Sequence, residues 1–241
     1  MEIPMNTQLP EVQYKDYTST RRPCEAGRNP FDGLRPWSAI THAAGIVFGI
    51  VGTIFLLIHA IPTHDLTGII SFAIFGATMV LLYTASTLYH SVHCSAEGRI
   101  ALRKFDHISV NMLIAGTYTP VCLTILNGAV GYTILAIIWA LAIAGAFVSF
   151  FWVNSPRKVT AGIYIGLGWF SIVALPFIWS NAGPAPVLGL FGGGLFYTIG
   201  AILYAIKWPG RNNPRFGCHE IFHVFIVLGT IAQYLTIYNF M

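Results

Sequence analysis

Residues 218–240, CHEIFHVFIVLGTIAQYLTIYNF, decide the fold. The stretch holds one carboxylate, Glu220, and no lysine or arginine. At about 1.5 Å of rise per residue it is long enough, as a helix, to cross a ~30 Å hydrocarbon core. In its first turns His219 and His223 stand four apart, which puts both imidazoles on one helical face, within reach of a single metal ion. The starting reading is therefore a membrane-spanning helix with a two-histidine metal motif near one end.

The rest of the chain has the same character. Hydrophobic residues make up 55% of the 241, charged residues 9%, and the mean hydropathy is +0.67, too apolar for a soluble surface of this length. Apolar stretches run at approximately 38–61, 68–91, 105–126, 130–152, 159–181, 187–207 and 218–240. This predicts an all-α membrane protein, a bundle of seven transmembrane helices.

The basic residues orient it, because Lys and Arg in short loops stay on the cytoplasmic side. Lys15, Arg21, Arg22, Arg28 and Arg35 precede the first span, and Arg99, Arg103 and Lys104 follow the second. Arg157 and Lys158 follow the fourth, and Lys207, Arg211 and Arg215 the sixth; together these are all 13 basic residues. The alternate connections, around Pro62 to Thr67, Asn127 to Val130 and Asn181 to Pro186, hold none. The expected topology has the N-terminus in the cytoplasm and the C-terminus outside. The net charge of +4 is then a topology signal, with no basic array for nucleic acid.

Residues 1–36, polar and punctuated by Pro4, Pro10, Pro23 and Pro30, read as a flexible cytoplasmic tail without a signal peptide. Residues 37–241 form the membrane domain, with connections too short for a second one. The four cysteines imply no disulfide framework. Cys218 points about 100° away from His219 and is read as a non-ligand.

The topology brings four polar residues to one depth. His90 ends span two, Asp106 begins span three, and His219 and His223 begin span seven, all at the cytoplasmic face. Three imidazoles suit zinc with a fourth position left for water, the pattern of a catalytic site. Asp106 would hold that water or orient a histidine. Ser86, four residues before His90, faces the same interior and would donate to the water or to a substrate carbonyl. An aspartate left alone in hydrocarbon costs about 2.5–3.5 kcal/mol on insertion scales, so Asp106 calls for a partner. His59, His64 and His93 read as headgroup-depth residues, His107 as interfacial, and His42 as either lining the cavity or bonding a neighbouring helix. Asn111, Thr117 and Tyr118 would line the cavity or tie helices together. Gly45, Gly49 and Gly52 in span one, and Gly192, Gly193 and Gly194 in span six, allow close helix approach.

The motif Ser86-Thr87-Leu88-Tyr89-His90 resembles the Ser-x-x-x-His motif of the progestin and adipoQ receptor superfamily. Phe105-Asp106-His107, followed by Ile114 to Pro120, resembles its third-helix motif, and His219 to His223 its His-x-x-x-His. Thr41 to Gly45 and the surroundings of Lys158 bring the likeness nearest to its bacterial hemolysin III branch. The resemblance spans residues 37–241. It implies a seven-helix bundle with an inside N-terminus in the bacterial inner membrane, zinc on His90, His219 and His223, and Asp106 and Ser86 at the zinc-bound water. By analogy with ceramidase-like relatives it also implies hydrolysis of a lipid amide or ester and a part in membrane-lipid homeostasis.

In that reading Asp106 moves the proton and Ser86 helps bind the oxyanion. The partners are membrane lipids, one of them the substrate lying among the helices; the oligomeric state is left open. Two other classes stay open. One is a receptor, transporter or pore-forming, hemolytic protein with a structural zinc. The other is an intramembrane metalloprotease, because His219-Glu220-Ile221-Phe222-His223 also satisfies the zincin pattern with glutamate as base.

Overall fold

Proline at the first helical position has its φ preset and no N–H to orphan, and Pro36 opens α1, Pro36–Ala60. The computed structural model describes residues 34–210, 213 and 216–241. The expected tail to residue 33, with its basic residues, and Arg211 and Arg215 lie outside them. Asp65 caps α2, Leu66–Ser91, by accepting the Gly68 N–H at 2.9 Å. Ser95 likewise caps α3, Ala96–Pro120. Removing such a cap costs about 1 kcal/mol. α3 starts earlier than its apolar run, because its first turns are a polar extension that buries Arg99 and Arg103.

Pro120 cannot continue the hydrogen-bond ladder, and span three finishes as a π-helical segment, Val121–Leu126. After Asn127, α4 runs Gly128–Phe151. Span five is broken: α5, Arg157–Trp169, passes through a 3-10 turn, Phe170–Val173, into α6, Leu175–Ala182, with a 44° bend. Tyr118 of α3 donates to the Leu167 and Gly168 carbonyls just before that break, at 2.9 and 2.7 Å. α7, Pro184–Ile206, and α8, Cys218–Phe240, complete the bundle.

Among the described residues six helices are long and apolar enough to span a membrane alone, and the bent α5–α6 pair brings the number to seven when counted as one span. The described residues contain no strand. The expected all-α membrane bundle is what forms. α1, α2, α3, α5, α7 and α8 close a ring, and α4 braces α3 from outside. One core, with Leu56, Phe72, Phe75, Met79, Tyr83 and Ile237, joins α1, α2, α3 and α8. A second, around Cys122, Ile134, Ile138 and Ile178, ties the end of span three to α4 and the broken span.

Gly45 is a necessary glycine, since a Cβ there would sit 2.5 Å from Tyr83 Cδ1. On α7 only Gly193 of the three consecutive glycines meets a neighbour, Gln233 of α8; Gly192 and Gly194 face open space. Close packing therefore accounts for one of the three.

α1 and α8 run parallel. At one face Arg35 reaches Glu220; at the other His64 Nε2 contacts the Met241 carbonyl and its Nδ1 meets Thr63 Oγ1 at 2.8 Å. His64 at this end of the bundle thus also docks α1's connection against the end of α8. Cys94 and Cys122 are free.

Candidate metal centre

The last turn of α2 delivers His90, and the Arg35 N–H donates to its carbonyl at 3.0 Å, tying the entry of α1 to that residue. The first turns of α8 deliver His219 and His223. The start of α8 is held by Glu220, whose Oε2 accepts the Gly217 N–H at 2.9 Å while Oε1 accepts from Arg35 Nη1 at 3.0 Å. Both ends of that ion pair are buried.

Two fixed helix ends thus aim three buried imidazoles at one point. His219 Nε2 lies 3.3 Å from His90 Nε2 and 3.1 Å from His223 Nε2, and the three ligand atoms all fall within 4.8 Å of one another. Two nitrogens each ~2.05 Å from one tetrahedral zinc would be about 3.3 Å apart. A neutral imidazole has one N–H and one lone pair. Nδ1 of His219 and of His223 makes no hydrogen bond to the described chain. A metal ion shared by the three Nε2 atoms would take their lone pairs and leave the ring protons on Nδ1. The residues present therefore fit a three-histidine metal ion.

The centre opens onto a cavity of about 140 Å³ between the ring helices. Ser86 and Asp106 are on its wall beside His219 and His223, and the Ser86 hydroxyl is turned to the Asp106 carboxylate. The remaining wall is largely apolar, with Leu82, Val110, Ile114, Leu190 and Phe191. All five residues singled out in the sequence, Ser86, His90, Asp106, His219 and His223, thus come together around one end of this cavity. Thr117 also lines it. Asn111 and Tyr118 do not: Asn111 donates to the His107 carbonyl at 3.0 Å, and Tyr118 serves the broken span.

His107 departs from its interfacial reading. Its ring bends back along α3 so that Nδ1 lies 3.3 Å from Asp106 Oδ2, and it shares the cavity wall. One-residue spacing separates side-chain directions by about 100°, but a short carboxylate and a longer ring still meet across it. His42 resolves to the cavity-lining alternative, stacked on His223 with centroids 4.0 Å apart. Arg35 was missed as part of the site because its charge was already explained by topology. The clue available was its position immediately before the helix-starting Pro36, level with Glu220 at the same face.

The family described as Haemolysin-III related matches residues 36–234. The chain belongs to the haemolysin-III-related family. Hemolysin-3 of Bacillus cereus is 36% identical over 200 residues, covering 83% of this chain and 88% of that protein. The Hemolysin-3 homolog of Bacillus subtilis (strain 168) is 35% identical over the same length, 83% and 91% of the two chains. More distantly, progestin and adipoQ receptor-like protein 1 of Caenorhabditis elegans is 25% identical over 187 residues, 68% of this chain and 42% of that one. No solved structure matches. The haemolysin-III match takes in Ser86, His90, Asp106, His219 and His223, and with the apolar spans it makes this chain a multi-pass integral membrane protein of the type found in bacterial cell membranes.

Proposed function

We propose that this haemolysin-III-related protein is a zinc-dependent hydrolase of lipid amides or esters, acting in lipid homeostasis of the bacterial membrane with its Arg35 face toward the cytoplasm. The observation that carries the reading is the convergence of three buried Nε2 atoms beside a carboxylate and a hydroxyl on the wall of an apolar cavity. The orientation rests on the basic residues, which all belong to connections on the Arg35 side.

Zinc held by His90, His219 and His223 would supply Lewis acidity at a carbonyl and acidify water toward neutrality. Asp106, on the cavity wall, would take the proton from the attacking water and return it to the departing amine or alcohol. Ser86, turned to Asp106, keeps the carboxylate aimed into the cavity and has a hydroxyl to offer the developing oxyanion. The apolar wall from Leu82 to Phe191 takes the acyl chain and keeps bulk water out.

The protease alternative loses its base, because both Glu220 oxygens are engaged, one by Arg35 and one by Gly217. A cytolytic reading is favoured by one observation, the name of the Bacillus cereus relative. Dye release from vesicles by purified protein, unchanged by loss of metal, would support it.

The test is metal content by mass spectrometry on detergent-purified wild type, His90→Ala and the double variant His219→Ala/His223→Ala. About one zinc per wild-type chain, lost in both variants, is the expected result and leads to a screen of lipid amides and esters with Asp106→Asn as control. A wild type purified without chelator that carries no metal overturns the proposal.

A further inference from the structure

We propose that His42 is a ligand-contacting residue of this site, an imidazole beside the metal rather than on it, which hydrogen-bonds a polar group of the molecule held in the cavity. The inference rests on the metal reading above and extends it to a fourth histidine, on α1.

His42 is 3% exposed and is fixed from two directions. Its ring stacks on His223 at 4.0 Å with 28° between planes, and Tyr83 meets it edge-on at 5.1 Å. The stack excludes His42 from the ligand set. Imidazole lone pairs lie in the ring plane, so an ion in the plane of His223 falls about one stacking distance out of the plane of His42. The three ligating atoms accordingly come from His90, His219 and His223.

Both nitrogens of the His42 ring are buried without a hydrogen bond of ordinary geometry to the protein; the ring's one polar neighbour of that kind is the His223 backbone, toward which a single nitrogen can turn, so the ring keeps hydrogen-bonding capacity for a ligand. Leaving buried polar atoms unsatisfied is costly, and folded interiors keep such atoms few. The open side of this ring is the cavity, whose wall it shares with Ser86 and Asp106. A neutral imidazole both donates and accepts. The complementary partner is an acyl compound whose carbonyl is accompanied by an N–H or O–H, as in an amide carrying a nearby hydroxyl. His42 would thus orient the polar head of such a ligand while the triad holds the metal.

The test uses cobalt-loaded, detergent-purified protein with acetohydroxamate, a small amide-like chelator, as the probe, followed by visible absorption. His42→Phe keeps a stacking ring but removes both nitrogens; His42→Gln keeps a donor and an acceptor. Both variants are expected to bind cobalt at the wild-type ratio. The Phe variant should weaken acetohydroxamate about tenfold, the equivalent of ~1.4 kcal/mol, and the Gln variant less than about threefold, as expected for a single hydrogen bond. If His42→Phe does not fold, His42→Leu is titrated in its place. Unchanged acetohydroxamate affinity in the Phe variant overturns this inference alone. Loss of cobalt from that variant also overturns it, since the ring would then support a ligand and not touch the probe. A wild type that takes up no cobalt instead brings down the metal reading on which the inference rests.

Discussion

Replacing Arg35 by Met removes one half of the ion pair that joins α1 to the start of α8. Both partners are 4% exposed and their closest atoms are 3.0 Å apart. The substitution therefore strands the Glu220 carboxylate in a nearly dry site with the Gly217 N–H as its remaining donor. Breaking a buried pair from one side costs about 3–5 kcal/mol. For a domain of this size each kcal/mol is worth roughly 2–4 °C, so Arg35→Met should lower Tm by about 6–20 °C. Adding Glu220→Gln removes the orphaned charge and should restore half or more of the loss. The assay is the fraction of detergent-purified protein that stays monodisperse on size exclusion after heating. The Arg35 N–H to the His90 carbonyl is a backbone bond and survives the substitution, so the folded fraction should keep its metal. A single variant within about 2 °C of wild type, or a double variant as unstable as the single, would refute the assignment of the pair as a structural clamp, given the magnitudes above.

Asp106→Asn should leave zinc content unchanged while reducing turnover of any lipid substrate by about 10²–10⁴-fold, the range for loss of a general acid–base group; single-turnover kinetics would check it. Tyr118→Phe removes the hydroxyl shared by the Leu167 and Gly168 carbonyls and should cost about 1–3 kcal/mol, visible as earlier loss of monodispersity on heating. Gly45→Val would drive side-chain atoms into Tyr83 and should cost about 1–3 kcal/mol from overpacking. Gly192→Ala, on the same scale, should stay within about 0.5 kcal/mol of wild type, because its Cβ would meet nothing within 4 Å; equal losses at the two glycines would contradict the packing described.

The spans were legible because burial in hydrocarbon leaves a long, charge-poor run in the sequence wherever a helix crosses. The convergence was legible for a related reason: polar groups at membrane depth are costly enough that His90, Asp106, His219 and His223, all at one depth, were to be expected near one another. The break in span five was less visible, since Gly166, Gly168 and Pro176 lie inside an apolar run whose average gives no sign of the bend. Arg99 shows the limit most clearly. Read by charge alone it is a topology marker, yet it is 2% exposed, its guanidinium donating to the Tyr89 and Val92 carbonyls at the end of α2. One side chain thus does two jobs, and the pattern of charges reports the first only. His107 was misread because spacing gives the direction of a Cα–Cβ bond but not how far a ring can swing. His42 could not be decided without knowing that α1 packs on α8.

The ring of spans around the cavity leaves α4 with no share in its wall. α4 leans on α3 and presents Ile137, Leu141 and Phe147 outward. The molecule therefore has a vessel and a separate handle. A fluorophore or spin label attached at Leu141 would travel with the protein and sense the surrounding bilayer without touching the cavity wall. A second protein seeking to recognise this chain from within the membrane could grip it there without reaching the cavity.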